Sequence, residues 1–88
     1  MPHNLVITEP GAYKKVGAAS ISMLSDPKAA DNHYVPNLSS VITSTYVVQP
    51  QGSHTLYFTV PKTPGNYPFL CTFPGHWQLM KGVMEVKK

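Results

Sequence analysis

Cys71-Thr72-Phe73-Pro74-Gly75-His76-Trp77-Gln78-Leu79-Met80 places a thiol, an imidazole and a thioether within ten residues. The stretch lies between two segments that read as strands, Tyr67 to Cys71 and Lys81 to Val86, so its donors share one loop at the end of a sheet. A thiolate and two imidazoles in a trigonal plane, with a weak axial thioether, form a ligand set that suits both Cu(I) and Cu(II). The loop lacks one imidazole. Of the three remaining histidines, His3 is best placed, because it opens a strand directly after Pro2, whose fixed φ stiffens the backbone that aims the ring. Pro74-Gly75 favours a type II turn just before His76, with proline setting φ at the second position and glycine supplying positive φ at the third. Phe73, preceding proline, is biased to extended geometry. A backbone amide near the start of the loop then points at the Cys71 sulfur and withdraws charge from it, which tunes a bound metal's potential. Phe73 and Asn4 are the candidate donors.

Outward from this loop the chain reads as short strands with one helical insert. Leu5, Val6 and Ile7 form an apolar run ended by Thr8-Glu9-Pro10-Gly11, which predicts a strand over about 3–8. From Ala12 to about 32 the pattern changes, with apolar positions at Val16, Ala19, Met23 and Leu24, and predicts one or two short helices. Pro36-Asn37 closes the insert. Val41 to Val48 is rich in β-branched residues, and Pro50-Gln51-Gly52 turns into His54 to Val60, where Leu56, Phe58 and Val60 alternate with Thr55, Tyr57 and Thr59. That run is expected to pair as a strand and bury one face. With 88 residues, no internal repeat and no linker-like tract, residues 1–88 read as a single domain with one core.

The bulk chemistry removes several classes of function. One cysteine permits no internal disulfide, no paired-cysteine zinc site and no covalent c-type haem attachment. Seven lysines against four acidic residues give a formal charge of +3, but they are scattered, so no nucleic-acid partner is expected. No apolar run approaches a membrane span, and the start Met1-Pro2-His3-Asn4 lacks the character of a signal peptide. Four histidines are too few for the second cluster of a multicopper oxidase, and a cysteine nucleophile would lack an orienting partner for its base, so no enzyme is expected.

Cys71-Thr72-Phe73-Pro74-Gly75-His76, followed by Leu79-Met80-Lys81-Gly82, resembles the copper loop of azurins. Met1-Pro2-His3-Asn4 similarly resembles the other ligand segment, in the Pro-His-Asn form of plastocyanins. The resemblance, to the cupredoxin or blue-copper family, runs through nearly the whole chain. It implies an all-β, Greek-key β-sandwich with a short helical insert, and a mononuclear copper ion held by His3, Cys71, His76 and Met80. It further implies a weak contact from the Pro2 carbonyl, and Asn4 tying the two ligand segments together while its amide and that of Phe73 hydrogen-bond the sulfur. Two features depart from the family. The family carries one or two strands before its first histidine and this sequence opens at that ligand, which suggests a domain cut from a larger bacterial protein with haem or dehydrogenase-like modules. Trp77 stands directly after a ligand histidine, where azurins usually carry something smaller.

The expected function is therefore single-electron transfer between redox protein partners, in a periplasmic or extracytoplasmic setting implied by the resemblance alone. The alternative is a copper storage, delivery or interaction module inside a larger enzyme. Trp77, Pro74 and Gly75 are expected to form an apolar rim around His76 where a partner docks, with inward packing of Trp77 as the competing reading. His33 and His54, with no second donor at metal spacing, read as solvated surface, Met23 and Met84 as core, and Lys14 and Lys15 as an exposed helix face.

Overall fold

The computed structural model describes residues 2–87, apart from the Leu24 side chain. Four strands, β1 (Val6–Thr8), β2 (Val41–Ser44), β3 (Gly65–Leu70) and β4 (Lys81–Val86), form one antiparallel sheet in the order β2-β1-β3-β4. Between β1 and β2 lie helix α1 (Tyr13–Ser22) and two 3-10 turns, Met23–Ser25 and Ala29–Asn32, within the expected insert. β1 lies between β2 and β3, and all three of its residues, Val6, Ile7 and Thr8, are buried. Its ladder onto β3 runs through Val6↔Leu70 and Ile7↔Phe69 and stops one residue short of Pro68, where the sheet can do without a backbone N–H.

β1 is shorter than the sequence predicts, for a specific reason. Beyond Val6 the chain still follows residues 45–48, but a side chain enters the ladder: the Leu5 N–H donates to Thr45 Oγ1 (2.9 Å) and the Leu5 carbonyl accepts from the Thr45 N–H (2.8 Å). Pairing resumes at an isolated bridge, where the His3 N–H donates to the Val48 carbonyl (3.0 Å) and the His3 carbonyl accepts from the Val48 N–H (2.6 Å).

The core, Val6, Leu70, Ala12 and Val16, is formed where α1 lies on one face of the sheet, with Tyr13, Val35, Leu38, Val41 and Trp77 packed around it. Gly11, at φ 78°, supplies the left-handed turn that leads the chain off β1 toward the helix. Lys14 and Lys15 are exposed, as expected. The buried stripe of α1 is Val16, Gly17 and Ser20, with Ala19 only half-buried, so the helix is rotated from the face that apolar spacing predicts. The cause is Trp77, whose indole lies so close to Gly17 that a Cβ there would meet the ring.

The predicted strand over His54 to Val60 does not form. The segment has no regular secondary structure and makes no ladder, and Tyr57 and Val60 are 89% and 52% exposed. Alternation records which side chains a strand would bury; a strand also needs a partner edge, and none of the described residues provides one. Of the expected sandwich, one sheet with its helix is thus built among the described residues. No helix among them is long and apolar enough to cross a membrane.

Gly17→Ala tests the helix packing. Alanine gains about 1 kcal/mol in helix propensity, but a methyl group against the Trp77 ring forces overpacking that costs about 1–3 kcal/mol. Urea denaturation is expected to give a net loss of stability together with a shift in Trp77 fluorescence, whereas an exposed Ala18→Gly change should lower stability without moving the emission.

Candidate metal centre

Cys71 follows the last residue of β3, and its N–H donates to the Met80 carbonyl (2.9 Å), closing the loop at its base. Inside that closure the His76 N–H donates to the Phe73 carbonyl (3.1 Å) across Pro74 and Gly75, with Gly75 at φ 85°, the turn expected from the Pro-Gly pair. The His76 carbonyl then accepts from both Leu79 (3.1 Å) and Met80 (2.9 Å). Three hydrogen bonds therefore fix the backbone of one residue, and its imidazole is buried.

The second imidazole arrives from the far end of the sequence, on the backbone pair between His3 and Val48. One donor atom each from His3, Cys71 and His76 lies within 4.8 Å of the other two, with Cys71 Sγ 3.5 Å from His76 Nδ1 and the two imidazole centroids 5.1 Å apart. His3 Nδ1 is buried without a hydrogen-bond partner. A buried ring nitrogen left without a proton donor or acceptor is costly unless another ligand takes it. First-row ions sit about 2.3 Å from thiolate sulfur and about 2.0 Å from imidazole nitrogen, so the edges of a trigonal S,N,N plane come to roughly 3.5–3.8 Å. The Cys71–His76 edge already has that length. These residues fit a small, thiophilic metal ion.

His76 is also held in the form a metal requires. Burial, and next the neighbouring His3 imidazole, push its pKa below the ordinary histidine value of 6.5, favouring the neutral ring that can ligate.

Met80 lines the same cleft as Cys71, a space of about 370 Å³ that also borders Asn4, Leu5 and Leu79, and the residue is 39% exposed. Pro2 is half-buried beside His3. Asn4 joins the two ligand segments through its side chain: Oδ1 accepts from the Thr72 N–H (2.7 Å), while Nδ2 donates to Thr72 Oγ1 (2.9 Å) and to the His33 carbonyl (2.8 Å). The amides of Asn4 and Phe73, expected to donate to the Cys71 sulfur, do not do so here. The sulfur turns to His76 Nδ1, and Phe73 acts through its ring, packed against His76 (5.3 Å) and edge-on to Tyr34 (5.2 Å, 74°).

Trp77 faces inward as well as outward. It is half-buried, its carbonyl accepts from the Tyr13 hydroxyl (2.8 Å), and its ring sits 5.5 Å from that of Tyr13, over which Lys81 Nζ lies at 4.9 Å. Sequence reasoning missed Tyr13 and Thr72, since a tyrosine at the start of an amphipathic helix and a threonine after the cysteine carry no sign of the bonds they make.

A family profile described as copper binding proteins, plastocyanin/azurin family, matches residues 1–87. The chain belongs to that family. It is 35% identical to the azurin of Achromobacter denitrificans over 88 residues, covering 98% of this chain and 56% of that protein, and 31% identical to azurin-2 of Alcaligenes xylosoxydans xylosoxydans, covering 98% and 65%. Among solved structures it is similar to the dithionite-reduced auracyanin of Roseiflexus castenholzii, with TM-score 0.79, 36% identity, and coverage of 100% of this chain and 68% of that one. Auracyanin A of Chloroflexus aurantiacus, described as a "blue" copper protein, gives TM-score 0.74, 29% identity, and coverage of 99% and 68%. The chain thus spans between about half and two thirds of the length of these relatives. Its fold is the cupredoxin fold of these neighbours. Copper is the metal of this plastocyanin/azurin family, and the His3, Cys71 and His76 cluster supports a single ion.

The lowered pKa of His76 has a sign for stability. The unfolded chain binds the His76 proton more readily, so the neutral ring's contribution is present above about pH 6.5 and is lost as pH falls through the folded-state value. In the metal-free protein the denaturation midpoint is therefore expected to drop on acidification below pH 6.5, and the drop should be smaller in His76→Gln.

Proposed function

We propose that residues 1–88 form one blue-copper electron-transfer domain, in which His3, Cys71, His76 and Met80 would hold one copper ion, with the Pro2 carbonyl as a weak further contact. The observation that carries this reading is the triangle of donors from two distant segments, each fixed by its own backbone bonds before any metal is added. When bound, copper supplies a one-electron couple between Cu(I) and Cu(II). The chain's own part is to keep the ligands where they are in both states. The bonds at His76, the Cys71–Met80 closure and the His3–Val48 pair leave these ligands little freedom, and a site that does not rearrange transfers electrons with little reorganisation. Phe73 shields one side of the His76 ring, limiting water at that edge.

Electrons enter and leave by docking of redox proteins on the copper-loop surface. Gly75 is exposed, Pro74 and the outer part of Trp77 are partly so, and Leu79 extends the patch at 86% exposure. Such an apolar rim suits brief association with an apolar patch on a partner. The partners we infer are redox proteins, including haem or dehydrogenase modules if this domain belongs to a longer polypeptide, and the setting periplasmic or extracytoplasmic, by likeness to the azurins and auracyanins. No substrate is converted, and neither nucleic acid nor a membrane surface is called for by the scattered lysines.

Cu(II) added to the purified chain is expected to give an intense visible thiolate-to-copper band and a narrow copper hyperfine splitting, both lost in Cys71→Ser. A pale spectrum indifferent to that substitution would overturn the reading. Met80→Leu should keep the blue colour and raise the reduction potential, because losing a donor disfavours Cu(II) more than Cu(I); cyclic voltammetry reads this directly. Rapid surrender of Cu(I) to a chelator, without a reversible couple, would instead indicate copper delivery.

A further inference from the structure

We propose that His33, not itself a metal donor, positions His3 by gripping the chain on both sides of it. The inference rests on the copper reading for its purpose but not for its geometry. His3 Nδ1 has no hydrogen-bond partner, so nothing on that side of the ring aims it; its direction depends on the backbone that carries it. That backbone is flanked by Asn4 in sequence and by Val48 across the bridge. His33 reaches both.

On the first side, His33 and Tyr34 are consecutive residues in the left-handed region, at φ 54° and 58°, where the chain leaves the 3-10 turn Ala29–Asn32. Their amides are satisfied behind them, by the carbonyls of Ala30 (3.0 Å) and Ala29 (2.9 Å). Their carbonyls both serve the ligand segments: that of His33 accepts from Asn4 Nδ2 (2.8 Å) and that of Tyr34 from Thr72 Oγ1 (2.6 Å). On the second side, His33 Nδ1 accepts the backbone N–H of Val47 (3.2 Å), the residue before Val48. The imidazole packs against Tyr46 (centroids 4.7 Å apart, 32° between planes). His54 does the same one residue earlier, its Nδ1 accepting the Tyr46 N–H (3.3 Å) and its ring resting 5.1 Å from the same Tyr46. Both rings act as acceptors at Nδ1, so in each neutral imidazole the proton stands on Nε2.

The residue type follows from these two duties. A non-glycine residue in the left-handed region is uncommon, with Asn, Asp and His enriched there, and only a side chain with an acceptor at some reach can also hold the Val47 amide. Glycine meets the first requirement and fails the second. Asparagine meets both, with a shorter arm.

His33→Gly and His33→Asn therefore separate conformation from grip. In the metal-free protein, amide hydrogen exchange followed by NMR is expected to accelerate about two- to tenfold at Val47, Val48 and His3 in His33→Gly, the range for one lost hydrogen bond, and to recover at least in part in His33→Asn. In the copper-loaded protein, His33→Gly should change the hyperfine splitting and shift the reduction potential, and His33→Asn should move both back toward the parent values. Unchanged exchange in His33→Gly overturns the proposal, and so does faster exchange with a copper spectrum and potential identical to the parent. A parent protein that shows no thiolate-to-copper band defeats the copper reading instead, and the metal-free exchange then decides by itself whether His33 holds the His3 backbone.

Discussion

One buried carboxamide ties this molecule together. Asn4 and Thr72 are 68 residues apart, and every polar group in the contact between them has a partner: the Asn4 oxygen holds the Thr72 amide, and the Asn4 nitrogen holds the Thr72 hydroxyl and the His33 carbonyl. Two residues that lie next to metal donors, Asn4 beside His3 and Thr72 beside Cys71, are thereby fixed relative to each other. Buried polar groups are costly when unmatched, by about 1–3 kcal/mol each, so no nearby register of the first segment against the loop is as good as this one. The network supplies specificity of position, which hydrophobic burial alone would not.

Helix α1 has a second task besides covering the sheet. Gly17 lets the indole of Trp77 approach the helix backbone, Tyr13 holds the Trp77 carbonyl, and Lys81 lies over the Tyr13 ring. The ten-residue loop from Cys71 to Met80 would otherwise be a long excursion between β3 and β4; it is clamped at its base by Cys71 and Met80, and at its far side by the helix. The insert between β1 and β2 thus serves the donors although it contributes none.

Much of this was legible in the sequence because its causes are local. Pro-Gly before His76 dictates a turn, the Leu-Val-Ile run a strand, and the shift in spacing after Gly11 a helix; the donors of one loop were visible as chemistry before any geometry was known. What the sequence did not disclose depends on partners. His54 to Val60 alternates like a strand but has no edge to pair with. The helix turned its Gly17 side inward because a tryptophan sixty residues later needs the space. His33 looked like solvated surface because its two duties, an acceptor nitrogen and a left-handed carbonyl, become visible only when residues 4 and 47 are brought to it.

The distance along the chain between Asn4 and Thr72 also bears on when the site can exist. Closing so long a loop has an entropic cost that no short segment can offset in advance. A nascent chain that has not yet released residues 71–80 holds His3 and nothing for it to meet. The donor triangle can therefore form only once residues 71–80 have been made, so loading of a metal at all three donors must follow their emergence, and whichever compartment they fold in decides which ions the thiol first encounters.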